Sequence, residues 1–289
     1  MAPDYAAGGA VFNAINSVIN LSGVAAVRAP SPYGNGCSGE LISPTLVLTA
    51  GHCVDDISGL TMSVGFSDGN SYSGTSILDP AYNNNPSAGA DLAVIQLFTP
   101  AMETVYQLYT GSVPFNATID VAGYGYTGTG TTGQQGVFGT LLAGQNAYET
   151  DGQSYYGTGV SSNLLIGVFS DEQSVNNQAT DGNVTISGPN ITDEVDISYG
   201  DSGGPSFYDG MLIGLHDLID CPSDSYYTDP CLTGSDPQSY YGEIFGDTSV
   251  PANVSWIDAQ IAASDVPEPA SWSLLLAGMA LGALHFRRR

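Results

Sequence analysis

The chain has 289 residues and a formal net charge of −25. Arg287, Arg288 and Arg289 close it, so the body up to Asp265 carries 28 acids against one cation, Arg28, and there is no lysine. Such a surface repels nucleic acid and anionic lipid, disfavours acidic substrates and attracts cationic peptides. It suits a salty, acidic or otherwise extracellular medium, where charge maintains solubility.

A body of this length is long enough to bury two sizeable cores. Met1 to Gly9 has neither a basic segment nor an apolar run of export-signal length; export would require a start upstream or a trimmed signal. Helical periodicity is scarce. Short apolar or alternating runs bounded by Gly, Asn, Asp, Ser and Pro recur instead, as in Val24 to Val27, Leu41 to Leu48 and Val94 to Leu97. The expected fold class is all-β. Leu46-Val47-Leu48 runs into Thr49-Ala50-Gly51-His52-Cys53, a turn that presents a histidine at a strand end. Asp91 precedes an apolar-rich run to Leu97 that reads as a core strand. The stretch from Gly125 to Thr192 is rich in Gly, Thr, Tyr, Asn and Gln. It reads as extra β-hairpins, with Tyr155 and Tyr156 as candidate contacts to matrix polysaccharide. Gly200-Asp201-Ser202-Gly203-Gly204-Pro205 follows, a tight glycine-flanked turn around a serine. Val254, Ile257 and Ile261 recur at helical spacing after Pro251, the only helix expected in the body.

These motifs fit one catalytic machine. A serine hydroxyl is a poor nucleophile at neutral pH and needs an imidazole to take its proton, while a carboxylate fixes the tautomer of that imidazole and stabilises its charged form. Ser202, His52 and Asp91 fill those roles, in the chain order His, Asp, Ser. His216 is a second histidine, but His52 already has the strand-to-turn setting.

In these motifs the sequence resembles the trypsin/chymotrypsin-like serine peptidases over roughly residues 20 to 262. The resemblance implies an endopeptidase domain over 1–265, built as two packed six-stranded antiparallel β-barrels with a short C-terminal helix. Val121-Ala122-Gly123-Tyr124-Gly125 looks like the strand opening the second barrel, so the barrels should divide near residue 110. The implied oxyanion hole is the N–H pair of Gly200 and Ser202. Two departures concern specificity. Asp196 stands where trypsin-like members carry the acid of the S1 pocket, which implies a basic P1 residue, but the cysteine expected near it is Ser198. In Gly214-Leu215-His216-Asp217-Leu218-Ile219, Asp217 replaces a serine near the triad carboxylate. Ile219 replaces a pocket-mouth glycine, which implies a small apolar P1 side chain. Both P1 readings stand open, with Asp196, Asp217 and Ile219 as candidate substrate-binding residues. Family members also pair a newly cut Ile-Val-Gly-Gly type terminus with the aspartate before the nucleophile, here Asp201. No such segment precedes Cys37, and Val11-Phe12-Asn13 only lies at a plausible distance. The expectation is that no trypsin-type activation occurs. The rival to an enzyme is a catalytically silent surface or matrix protein on the same fold.

Four cysteines fit an oxidising compartment and allow three pairings. The resemblance selects Cys37 with Cys53, leaving Cys221 with Cys231. No Cys-x-x-Cys spacing occurs and histidines are few, so no metal or other cofactor is expected. The acid-rich stretches Asp193 to Asp201 and Asp217 to Asp236 lack a calcium-loop spacing and read as ordinary solvated acids.

The tail, 266–289, is a different object. Val266-Pro267-Glu268-Pro269 breaks the chain, Ala270 to Phe286 is apolar apart from small residues and His285, and three arginines follow. As a helix those seventeen residues span about 25 Å, enough to cross a thin bilayer, with the arginines on the cytoplasmic side. Val-Pro-Glu-Pro, a short span and a basic end resemble the PEP-CTERM sorting signal of Gram-negative bacteria. The resemblance implies export, transient membrane anchoring through 270–286 and removal of the tail by an exosortase-type enzyme. The expected partners are therefore a protein or peptide substrate, that processing enzyme and the membrane, with no nucleic acid.

Overall fold

Side chains alternate across a β-strand, so a strand apolar at every position must have both faces covered. The computed structural model, which describes residues 5–32, 36–57, 59–170, 178–181, 184–189, 191–192, 194–221 and 239–264, meets this demand in the first half of the chain. Six strands, β1 (Val24–Arg28), β2 (Gly36–Ser43), β3 (Leu46–Thr49), β4 (Thr61–Phe66), β5 (Ser71–Leu78) and β6 (Ala93–Leu97), close into a barrel in the order β1-β2-β3-β6-β5-β4, every pair antiparallel. Ala25, Val27, Val47, Ala93 and Ile95 fill the barrel interior. Their neighbours Val24, Ala26, Leu46, Leu48 and Val94 face outward into a second core shared with Ala122, Phe207, Leu212 and Leu215. That shared core joins the two halves of the molecule, and the candidate site lies beside it.

The second half contains β7 (Thr118–Gly123), the small hairpin β8 (Thr127–Thr129) and β9 (Gly133–Gln135), β10 (Leu142–Ala147), β11 (Thr150–Asp151) and β12 (Leu164–Val168). A second hairpin follows, β13 (Gln178–Asp181) and β14 (Val184–Ser187), then β15 (Pro205–Tyr208), β16 (Met211–Asp220) and β17 (Ile244–Ser249). The main sheet runs β10-β7-β15-β16-β17-β12-β11. The all-β expectation and the extra hairpins hold; the second unit is a curled seven-stranded sheet, the two-residue β11 adding the seventh strand. Between β6 and β7, residues 98–117 cross from one half to the other.

Helices depart from the expectation. The C-terminal helix is present, but so are two others: α1 (Ala10–Ile19) and α2 (Gly152–Tyr156), ahead of α3 (Val250–Ser264). In α1 the buried residues Phe12, Ile15 and Ile19 recur at i, i+3 and i+7 and enter the shared core. Asn20 ends the helix in the left-handed region, its N–H donating to the Asn16 carbonyl at 3.0 Å. In α2, Tyr155 is buried and Tyr156 donates its hydroxyl to Asp220 at 2.7 Å. Tyr155 is thus a core residue, not a surface contact for polysaccharide. Among the described residues no helix is long and apolar enough to cross a membrane. The tail with its 270–286 span, and Cys231, lie outside the described residues.

Candidate active site

The site grows from the ends of strands. β3 stops at Thr49, and one turn of 3-10 helix, Gly51–Cys53, lifts His52 to the surface of a cleft. The disulfide Cys37–Cys53 ties this turn to β2. Gly51 is required by close approach: a Cβ there would stand 2.8 Å from Asp91 Oδ1. Asp91, fully buried just before β6, grips the turn twice. It accepts the His52 backbone N–H on Oδ1 at 2.7 Å and His52 Nδ1 on Oδ2 at 2.5 Å. One ring nitrogen is therefore committed to the carboxylate and Nε2 remains for other chemistry.

Ser202 arrives from the opposite half, on the loop before β15, and lines the same cleft of about 620 Å3 as His52, Gly200 and the disulfide. Gly200 (φ +97°) and Gly203 (φ +79°) adopt left-handed backbone, and a Cβ on Gly203 would meet Thr49 Oγ1 at 2.4 Å. Asp201, Gly203 and Gly204 donate their N–H groups to Ser198, His216 and Asp201 carbonyls at 2.9, 2.7 and 2.7 Å. The N–H groups of Gly200 and Ser202 have no acceptor among the described residues, which leaves two donors beside the serine. Ser38 fastens the loop to β2: its N–H donates to the Ser202 carbonyl at 2.8 Å and its hydroxyl to the Gly200 carbonyl at 2.9 Å.

Electrostatics divide the pair cleanly. Burial alone would lower the His52 pKa, but the hydrogen bond and charge of Asp91, with Asp55 nearby, outweigh it and raise it. For Asp91 burial acts upward, and the hydrogen bond and charge of His52 overcome it, so this carboxyl stays below its usual range.

The other predicted residues scatter. Asp196 is 7% exposed and lines a cavity of about 150 Å3 with Tyr126, Phe169 and Tyr241, and Tyr126 also lines the cleft. Asp196 Oδ1 accepts the Ile197 N–H at 2.8 Å while Oδ2 has no partner among the described residues, and burial together with Glu243 pushes the group well above the carboxylate range. Asp217 is buried behind Asp91, accepting from Thr248 Oγ1 at 2.8 Å. Ile219 is half-buried on β16, against the core of the curled sheet. Asp196, Asp201 and Asp217 are buried, which corrects the reading of these three as solvated acids, because inward-facing sheet and turn positions take them out of water; Asp193 and residues 222–236 of the same stretches lie outside the described residues. Cys221 lies at the end of β16, its expected partner outside the described residues. His216 is completely buried, with Nδ1 3.1 Å from Asp247 Oδ1.

The sequence shows Ser198 only as a departure from the family, without its bonding role, and gives Ser38 no role at all. Ser198, in place of the expected cysteine, holds the loop by hydrogen bonds: its Oγ lies 2.8 Å from the Tyr126 carbonyl and 2.9 Å from Asp201 Oδ2. Ser38 was signalled only by its place beside Cys37. As for metals, Cys37, His52 and Cys53 group three ligand-type side chains, but both sulfurs are consumed by the disulfide. In the group His52, Asp91 and Asp217 a cation would compete with the His52–Asp91 hydrogen bond.

An imidazole held by a buried carboxylate, in one cleft with a serine that has two open N–H donors, is an arrangement that suits acyl transfer. A sequence profile described as Trypsin matches residues 19–229. The chain belongs to the trypsin family. This trypsin-family serine endopeptidase also carries, at residues 265–289, a match to the PEP-CTERM protein-sorting motif. Its fold is similar to that of neuropsin, a serine protease expressed in the limbic system of mouse brain, with 21% identity, TM-score 0.60 and coverage of 84% of this chain and 96% of the other. It is also similar to the scabies mite inactivated protease paralogue S-I1, with 20% identity, TM-score 0.57 and coverage of 85% and 96%.

Proposed function

We propose that this trypsin-family member is an exported, active endopeptidase that cleaves peptide bonds through an acyl-enzyme on Ser202. The observation carrying the reading is the double grip of buried Asp91 on His52, at 2.7 and 2.5 Å, in the cleft that also holds Ser202. Ser202 Oγ attacks the scissile carbonyl carbon while His52 Nε2 takes its proton. The oxyanion is held by the N–H groups of Gly200 and Ser202. Collapse breaks the C–N bond, His52 returns the proton to the leaving amine, and water attacks the ester with His52 again as base. Labelling by a fluorophosphonate beside a Ser202→Ala control tests this. Label on Ser202 alone is expected; none on folded wild type would favour the silent binding protein.

Substrate choice follows charge. Asp55 and Asp56 line the cleft and the body is strongly acidic, which favours cationic peptides. A Lys or Arg at P1 would need to reach Asp196 and displace its proton, whereas Ile219 argues for a small apolar P1; peptide-library profiling separates them. No trypsin-type activation is needed, because Asp201 already accepts from Gly125 N–H at 2.7 Å and Ser198 N–H at 2.9 Å, and Val11 lies within α1. N-terminal sequencing of active secreted protein that finds Val11 would overturn this point. Export and removal of the tail rest on the sorting motif, and the C-terminal peptide of secreted protein is expected to end upstream of Ala270.

A further inference from the structure

β16 and β17 pair with a shift: His216 faces Asp247, but Leu218 faces Gly246, so Asp217 is the extra residue of a bulge. A bulge re-aims its side chain, and this one is buried with Asp91 and lies beside the partly exposed His52, one polar atom from each of the three lying within 4.8 Å of the others. Two carboxylates this close and out of water do not both ionise; one proton stays between them. Its owner follows from the donors. Among the described residues Asp91 receives two from His52, whereas Asp217 receives only the Thr248 hydroxyl, and its buried Oδ1 has no donor. An Oδ1 that carries the proton is no longer an orphan acceptor. The titratable groups around it are His52 and Asp55 on the turn after β3, Tyr82 and Asp91 before β6, Asp247 on β17 and His216 on its own strand. The acids among them all favour retention of the proton.

We propose that Asp217 is a positioning residue of the triad proposed above, carrying a proton at neutral pH and donating it in a hydrogen bond to the Asp91 carboxylate, so that His52 is oriented by an acid–carboxylate pair. The inference rests on the triad reading. Burial and then the Asp91 charge raise Asp217 well above the carboxylate range, while Asp91 stays lowered. The carboxylic O–H thus stands where the family's serine would offer a hydroxyl.

Infrared difference spectra of wild type against Asp217→Asn at neutral pH, with fluorophosphonate labelling rates for Asp217→Asn, Asp217→Ser and Asp217→Ala, test it. A carboxylic-acid carbonyl band lost in the Asn variant is expected. The Asn and Ser variants, which keep a donor, should label within about threefold of wild type, and the Ala variant about 10- to 100-fold more slowly. A carboxylate band for Asp217, or Asn and Ser variants as slow as Ala, overturns the proposal. The band and the Asn and Ser rates decide even if the Ala variant does not fold. Wild type that labels but has an ionised Asp217 defeats only this inference; folded wild type that does not label defeats the triad reading itself.

Discussion

Two histidines in this molecule rest on buried aspartates, and they serve different ends. His52 stands on a turn with its side chain 29% exposed, bonded through Nδ1 to Asp91, with Nε2 left for the cleft. His216 is wholly enclosed between sheet strands, and its partner Asp247 also accepts the Tyr148 hydroxyl at 2.5 Å and Ser206 Oγ at 2.7 Å. Both imidazoles have raised pKa values, in each case because the aspartate outweighs the lowering effect of burial. The pair itself is therefore not the mark of a catalytic site. Access to one ring nitrogen beside a nucleophile is what separates chemistry from scaffold.

Breaking the catalytic pair should give the largest effect. Ser202→Ala or His52→Ala is expected to lower kcat about a million-fold, and Asp91→Asn about ten-thousand-fold because the tautomer is lost, as read by hydrolysis of a peptide substrate. His216→Ala should behave in the opposite way. Urea unfolding should show a loss of about 3 kcal/mol from an uncompensated buried charge, with the activity of the folded fraction near wild type. Cys37→Ser with Cys53→Ser removes a loop closure over a sequence separation of 16, expected to cost about 3 kcal/mol in the same measurement.

pH sharpens the comparison further. Because the His52 pKa is raised, the acid limb of kcat/KM should lie above the ordinary histidine range of about 6.5, and the neutral imidazole above it is the active base. Stability should run against the usual direction. Burial raises Glu40, Glu149 and Asp196 well above the carboxylate range, and both oxygens of Glu40 lack partners among the described residues. Each contributes stability fully present below its unfolded pKa of about 4 and lost as pH rises through the higher folded value, because unfolding then releases protons. Asp91, lowered in the folded state, contributes the reverse, present above its unfolded pKa and lost as pH falls through the folded value. With Asp217 as the fourth strongly raised carboxyl against the one lowered, urea midpoints should fall from about pH 4 to pH 7. Midpoints that rise over that range would mean these carboxyls are ionised in the folded protein.

Much of the site was legible because its motifs are local. The turn that presents His52 needs Gly51 where Asp91 approaches, and the loop of Ser202 needs glycines at 200 and 203, so the chemistry is written as contiguous residue types. The Cys37–Cys53 link followed from the family resemblance. Helix α1 is not among the expected elements: Phe12, Ile15 and Ile19 mark its buried side, but a run of ten residues gives too short a periodic signal to stand out. Asp217 was found beside the triad carboxylate, yet its bulge depends on how β16 pairs with β17. Ser38 carries no signature and Ser198 shows only as a departure from the family pattern, because each ties its loop through a hydrogen bond to a residue more than 70 positions away.

The sequence by itself determined the all-β class, the chain order of His52, Asp91 and Ser202, and the character of the tail, since these depend on residue type and near-neighbour spacing. Only the tertiary structure decided which acids are buried, which histidine faces a cleft and which carboxyl meets Asp91. Those depend on desolvation and on contacts between residues far apart in the chain, and a carboxylate's proton follows its surroundings rather than its neighbours in sequence.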